Sequence, residues 1–334
     1  MNRPAELTPL AEARPLISAR GLTKDFGVAG GFLKAKGRPV RAVDDVSVDI
    51  GRGEVLGVVG ESGSGKSTLG RLLLRLIEPT SGEIRFDGQD LSSMPLRDLR
   101  KFRRNMQMIF QDPYASLNPR MTIGDTLTES LRLHRGLARG EAENAAASLL
   151  EQVGLTAEHL RRYPRAFSGG QRQRVAIARA LASQPRFIVA DEPVSALDVS
   201  IQAEVINLLQ DLQRELRLSL MFISHDLSVV EIMSNRVMVL YLGRTMEIAP
   251  TEELFARPAH PYTLVLMQAA PGASRGGQRF VLSGEIPSPS NPPSGCVFRT
   301  RCPFAMKACG ELRPALREIS PGHFKACIRD DLAL

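Results

Sequence analysis

"GESGSGKST", residues 60–68, decides the fold class. Glycines 60, 63 and 65 leave the backbone free to curl, so that successive N–H groups converge on one point. The run has the form G-x-x-x-x-G-K-[ST]. It follows the apolar strand "VLGVV" and opens the apolar-faced stretch "KSTLGRLLLRLI", the strand–loop–helix context in which such a loop cradles phosphate. The positive end of the helix dipole adds to that field. Lys66 is expected to reach the β- and γ-phosphates and Ser67 to ligate Mg²⁺. Gly60, Glu61, Ser62, Gly63, Ser64, Gly65 and Thr68 complete the expected nucleotide cradle.

A second motif supplies carboxylates. "RFIVADEP" (186–193) is an apolar strand ending in Asp-Glu, and a strand buried on both faces has no reason to end so unless its end meets solvent or a cation. Asp191 fits the Mg²⁺ partner of Ser67, and Glu192 fits the base that polarises an attacking water. Either motif alone is a weaker signal than the two together.

Composition excludes several classes. The 334-residue chain is 43% hydrophobic and 24% charged, ordinary globular values, with no glycine period, heptad run or 20–50-residue repeat. "MNRPAELTPLAEARPL" lacks the apolar core of a secretory signal, and no window of 18 apolar residues occurs. A soluble, cytoplasmic protein is expected. The net charge of +7 includes "RDLRKFRR" (97–104), which reads as a solvated helix face. With no Trp and only four Tyr there is no aromatic ladder for bases, so no nucleic-acid partner is expected. A basic surface also suits work beside an anionic inner leaflet.

Along the chain, residues 17–60 read as short strands with glycine turns, interrupted by "GVAGGFLKAKGRP", a surface hairpin or loop. The middle, about 95–170, is mainly helical, with "TIGDTLTESLRLH" and "GEAENAAASLLEQVG" as its clearest helices. After 170, strands and helices alternate, which predicts a largely parallel α/β sheet. The character changes near 258, and "EIPSPSNPPSG" reads as an extended proline-rich connector.

Between the two phosphate motifs sits "FSGGQRQRVAIARAL" (167–181), which resembles the signature of ATP-binding cassette (ABC) ATPases. A serine and a glycine pair at a helix N-terminus make a second anion site. The resemblance implies a P-loop NTPase of the ABC fold with an inserted α-helical subdomain. It also implies that two cassettes sandwich each ATP, the phosphate loop from one and Ser168, Gly169, Gly170 and Gln171 from the other. "FQDP" then supplies Gln111, which senses γ-phosphate and Mg²⁺. "SALD" carries Asp198 of the loop that crosses the dimer, and "ISHD" supplies His225 of the switch. Phe26 in "LTKDF" is the adenine-stacking aromatic on the same resemblance. His134, His159, His260 and His323 read as surface or packing residues.

"QMIFQDPYASLNPRMTIGDTL" (107–127) narrows the resemblance to the oligopeptide/dipeptide importer ATPases, as do "HPYTLVLMQAAP" and "GEIPSPSNPPSGCVFRTRCP". It implies a nucleotide-binding domain over 17–258 and a C-terminal extension over 259–334. It further implies an ATPase on the cytoplasmic side of a bacterial inner membrane, working with a second ATPase subunit, two permeases docked at 107–165 and a periplasmic or extracellular binding protein. The alternative is a non-transport cassette of translation, repair or phosphonate degradation. Against it, only about a hundred residues separate Gly65 from Ser168, too few for a coiled-coil or zinc insertion.

All four cysteines fall late: Cys296, Cys302, Cys309 and Cys327. In a cytoplasmic chain such a cluster points to a metal or to reduced bystanders. Zinc sites usually present pairs two to four residues apart, and none here is that tight. Four thiolates with looser spacing and a nearby proline, Pro303, suit a [4Fe–4S] cluster, and the resemblance agrees. Iron–sulfur, zinc and unligated thiols all remain open at this point. A cluster would pin a tail with little core of its own.

Overall fold

The computed structural model describes residues 14–27, 39–269 and 284–332. The Gly/Lys-rich excursion spans 27–39, and its residues 28–38, read as a hairpin or loop, lie outside the described residues. Two long strands open the fold, β1 (Ile17–Phe26) and β2 (Val40–Ile50), paired antiparallel. Val43, Val46, Val48 and Ile50 of β2 are buried while Asp45 and Ser47 between them are exposed, the period of a half-buried strand. The chain then enters a second sheet through β3 (Val55–Val59), whose five residues are all buried. It returns through β4 (Ser81–Phe86) and the short β5 (Gln89–Asp90), completing an antiparallel sheet in the order β2-β1-β4-β5.

The larger sheet collects β6 (Met106–Ile109), β7 (Phe187–Asp191), β8 (Ser219–Ile223), β9 (Arg236–Tyr241), β10 (Arg244–Pro250), β11 (Arg317–Ser320) and β12 (His323–Lys325) around β3. Its order is β11-β12-β10-β9-β3-β8-β7-β6. From β9 to β6 every pair is parallel, as the alternating strands and helices predict. Beyond β9 the sheet turns antiparallel. The cause is a two-residue hairpin: Leu242 and Gly243 both take positive φ, 45° and 77°, the tight turn that joins antiparallel strands.

Helix Lys66–Leu73 lies between the two sheets. Leu69, Leu72 and Leu73 are fully buried among Ile17, Val48, Ile84, Leu56 and Met221. The other face of the large sheet is covered by helices Gly169–Leu181, Val199–Leu216 and Leu227–Met233. Helices Ile123–Arg135 and Arg139–Gln152, close to the two stretches read from the sequence, pack onto that layer through Leu127, Leu131, Ala142 and Ala146. The late residues join this core rather than standing apart from it. Val297 and Phe298 are buried in the same cluster as Tyr241 and Tyr262, and β12 hydrogen-bonds to β10.

Candidate functional site

Parallel strands deliver their carboxyl ends to one edge. Val58 lies opposite Ile223, Ile223 opposite Asp191, and Ile109 opposite Ala190. The next residues along each strand therefore bring Gly60, Gln111, Glu192 and His225 to a common rim.

The loop after β3 needs its glycines for two separate reasons. Gly60, Gly63 and Gly65 have φ of 149°, 78° and 100°, backbone that side chains rarely adopt. Two of them are also crowded: a Cβ on Gly60 would sit 2.1 Å from the Leu240 carbonyl oxygen, and one on Gly65 2.2 Å from that of Ala42. Lys66 is buried, its Nζ donating to the carbonyls of Gly60 (2.7 Å) and Glu61 (3.0 Å). Burial lowers its pKa, opposed by the carboxylates of Glu192, Asp191 and Glu61. Ser67 Oγ donates to Asp191 Oδ1 at 2.7 Å, which joins the two residues expected to share a cation. Burial raises the Asp191 pKa, and the Ser67 bond works against that shift. Ser62 and Gly63 are exposed, Thr68 is half-buried, and the buried Ser64 Oγ has no hydrogen-bond partner.

Glu192 is the hub of the rim. Its Oε2 receives Gln111 Nε2 at 3.1 Å and lies 3.3 Å from His225 Nδ1. Its backbone sits at φ 47°, a sparsely populated conformation for a non-glycine residue, fixed by its N–H to the Ile223 carbonyl (3.0 Å). The structure thus brings together Lys66, Ser67, Asp191, Glu192, Gln111 and His225.

Ser168 to Gln171 form a separate feature. Ser168 caps helix Gly169–Leu181: the Gln171 N–H donates to Ser168 Oγ at 3.3 Å, and the Ser168 N–H to Gln171 Oε1 at 3.0 Å. Among the described residues no hydrogen bond joins them to residues 60–68. Ser168 and Gly169 are exposed at an N-terminus with N–H groups to spare, while Gly170 is buried against Ile201. Asp198, exposed, precedes helix Val199–Leu216, and Val199 beside it is 82% exposed. The Phe26 ring is exposed, with Lys24 Nζ 5.2 Å from its centroid.

Sequence reasoning missed two residues that hold the loop. The Glu61 N–H donates to Tyr262 Oη at 3.0 Å, and the Glu61 carboxylate accepts two bonds from Arg301. They lie 201 and 240 residues away, and no local pattern marks them.

The cysteines share one neighbourhood without forming a disulfide. The Cys296 N–H donates to the Cys309 carbonyl at 2.8 Å. Gly295, at φ 64°, permits that approach, since a Cβ there would stand 2.3 Å from the same oxygen. Burial pushes the Cys296 and Cys327 thiols up and Cys302 to about 12, and neighbouring cysteines add to each shift. Among the described residues, no group of three or more His, Cys, Asp or Glu is arranged to hold a single metal ion.

A phosphate-cradling loop, a Ser–Asp pair and a braced carboxylate on one parallel-sheet edge define a nucleotide-hydrolysing cassette. Comparison with known proteins agrees. The model of the ABC transporter family matches residues 43–195, and that of the oligopeptide/dipeptide transporter C-terminal region matches 246–309. A Brucella ovis relative that bears a name for peptide import is 58% identical over 320 residues, 95% of this chain and 99% of its own length. The oligopeptide transport ATP-binding protein AppF of Bacillus subtilis is 50% identical over 322 residues, 95% of this chain and 98% of its own. Among solved structures, the dimeric ATP-binding cassette MJ0796, in a post-hydrolysis state with ADP and Pi, superposes with a TM-score of 0.63. It is 29% identical and covers 70% of this chain and 98% of its own. The chain belongs to the ATP-binding subunits of oligopeptide/dipeptide-type ABC importers.

Proposed function

We propose that this chain hydrolyses MgATP to drive peptide import, with Glu192 as the general base. The observation that carries the reading is the Glu192 carboxylate, braced by Gln111 and His225 beside Lys66 and the Ser67–Asp191 pair. Lys66 exchanges its two loop carbonyls for the phosphates of ATP, and the loop N–H groups orient them. Ser67 and Asp191, with Gln111, would hold the Mg²⁺ that offsets phosphate charge. Their hard oxygens suit that ion. Glu192 takes a proton from the attacking water, while Gln111 and His225 fix which way its carboxylate points.

The exposed cap at Ser168–Gly169 and the exposed Asp198–Val199 corner favour a second cassette as partner, each signature helix completing the other's site. The relatives' names favour peptides as cargo. Import of such cargo calls for membrane permeases as partners, and the stretch 107–165 is the docking surface in this reading. No helix among the described residues is long and apolar enough to cross a membrane. The working place is the cytoplasmic face of a bacterial membrane, peripherally bound.

Replacing a positioned base costs about 10²–10⁴-fold in rate. Glu192→Gln should therefore keep ATP affinity, lose turnover by that factor and trap a closed dimer on size exclusion. Near-normal turnover would remove Glu192 from the role.

For the four thiols we keep a [4Fe–4S] cluster as the reading to test. Cys309 and Cys327 are buried, Cys296 and Cys302 are half-buried, and none is paired as a disulfide. The cluster would compensate buried thiolate charge and tie residues 296–327 together. Anaerobically purified protein should be brown, and Cys302→Ser should abolish the colour. Colourless protein with stoichiometric zinc, or with no metal, would reject the cluster.

A further inference from the structure

We infer that Arg301, in the C-terminal extension, is a positioning residue for the phosphate-binding loop, so that the extension sets nucleotide affinity. Within the extension, Arg301 stands between Cys296 and Cys302. Arg301 Nη1 reaches Glu61 Oε2 at 2.5 Å and Nη2 reaches Glu61 Oε1 at 3.0 Å, a two-pronged pair. The Arg301 side chain is 5% exposed and that of Glu61 19%, so little water screens the pair. The guanidinium also lies over the Tyr241 ring, 5.9 Å from its centroid, and Nη1 donates to Tyr241 Oη at 3.4 Å. Tyr241, Tyr262 and Phe298 pack as one aromatic group with centroids 4.8–5.4 Å apart, giving the pair a rigid floor.

Glu61 is therefore held at every polar atom. Tyr262 takes its N–H, Lys66 its carbonyl and Arg301 its carboxylate. Its neighbours Ser62 and Gly63 are exposed, and Gly63 has open space around it. A loop of glycines and small residues has many conformations, and only some aim its N–H groups at phosphate. Fixing Glu61 removes most of the others before nucleotide arrives. The Arg301 fork bonds Glu61 and Tyr241 and reaches the loop through Glu61.

The inference rests on the loop being the ATP site, and the experiment separates the two. MgATP binding is measured by calorimetry on the purified full-length chain, and a wild-type chain that binds no MgATP would reject the site itself. Given wild-type binding, Arg301→Met should raise Kd about tenfold and Arg301→Lys, which restores the charge but not the fork, about threefold. Removing the stranded carboxylate should restore affinity, so Glu61→Gln combined with Arg301→Met should bind no worse than Arg301→Met alone. A folded Arg301→Met chain with Kd within about twofold of wild type, or losses that multiply in the double variant, would overturn the inference. Should Arg301→Met not fold, hydrogen exchange decides: Arg301→Lys should speed exchange at residues 61–64, and unchanged exchange there would overturn it equally.

Discussion

At Gly170 the usual rule about glycine reverses. Inside a helix, Gly→Ala ordinarily stabilises by about 1 kcal/mol. Here an added Cβ would lie 2.4 Å from Ile201 Cγ2, in the helix that follows the Asp198 loop. The methyl must push the signature helix away from its neighbour, so Gly170→Ala should destabilise by about 1–3 kcal/mol. Ile201→Ala removes the obstructing atom and should recover most of that loss in the double variant. Urea midpoints of the four chains test this, and strictly additive losses would show that the helix contact is not the cause. Glu192 makes a related point at the same scale. Its left-handed backbone could not be read from "ADEP", because nothing local distinguishes a strained carboxylate from an ordinary strand end.

Among the elements, the helix Gly169–Leu181 carries two duties at one end. Its Ser168 cap closes the fold locally and leaves further N–H groups facing outward. Ser168→Ala should cost about 1 kcal/mol of stability by thermal melting. On the proposed reading, in which Ser168 completes a partner's site, its effect on turnover should be larger than that loss explains. A turnover loss fully accounted for by unfolded protein would confine Ser168 to capping. Strand–loop–helix units such as this were legible because each is written in a dozen contiguous residues. In the rim, Gly60 and Glu192 were legible for the same reason, each following its own apolar strand, whereas Gln111 and His225 were read through the family resemblance. The second sheet was not. The strands of 17–60 could be read, but nothing in them says that β1 pairs with β2 on one side and β4 on the other.

Over the whole molecule, what escaped the sequence is what joins distant segments. His323 and His260 read as ordinary packing residues, yet both sit where the last strand meets the sheet. His323 Nε2 is 2.7 Å from Glu247 Oε1, and the other Glu247 oxygen receives the His260 N–H at 3.0 Å. Burial lowers the His260 pKa to about 4, so the folded chain stays neutral there when the unfolded chain binds a proton. Stability is then lost as pH falls from about 6.5 toward 4, by about 3 kcal/mol at most. Burial works against charge on His323 as well, but its bonds to Glu247 and Glu253 outweigh it and raise the pKa. That contribution is complete below about 6.5 and fades as pH rises through the folded value. Melting curves at pH 7 and pH 5 should show a smaller acid loss for His260→Gln than for wild type. Equal losses would clear His260 of the effect.

The pairing of Glu61 with Arg301 also imposes an order in time. A ribosome releases the phosphate loop and its helix early, but the guanidinium that seats the loop is encoded 240 residues later. At about 5–20 residues per second, the newborn chain carries an unseated loop for roughly 10–50 s. Throughout that interval the nascent cassette has its lysine and its glycines but lacks the distant side chain that arranges them. Full affinity for ATP then arrives only with the last tenth of the chain, so a product terminated before Arg301 would hold nucleotide more weakly.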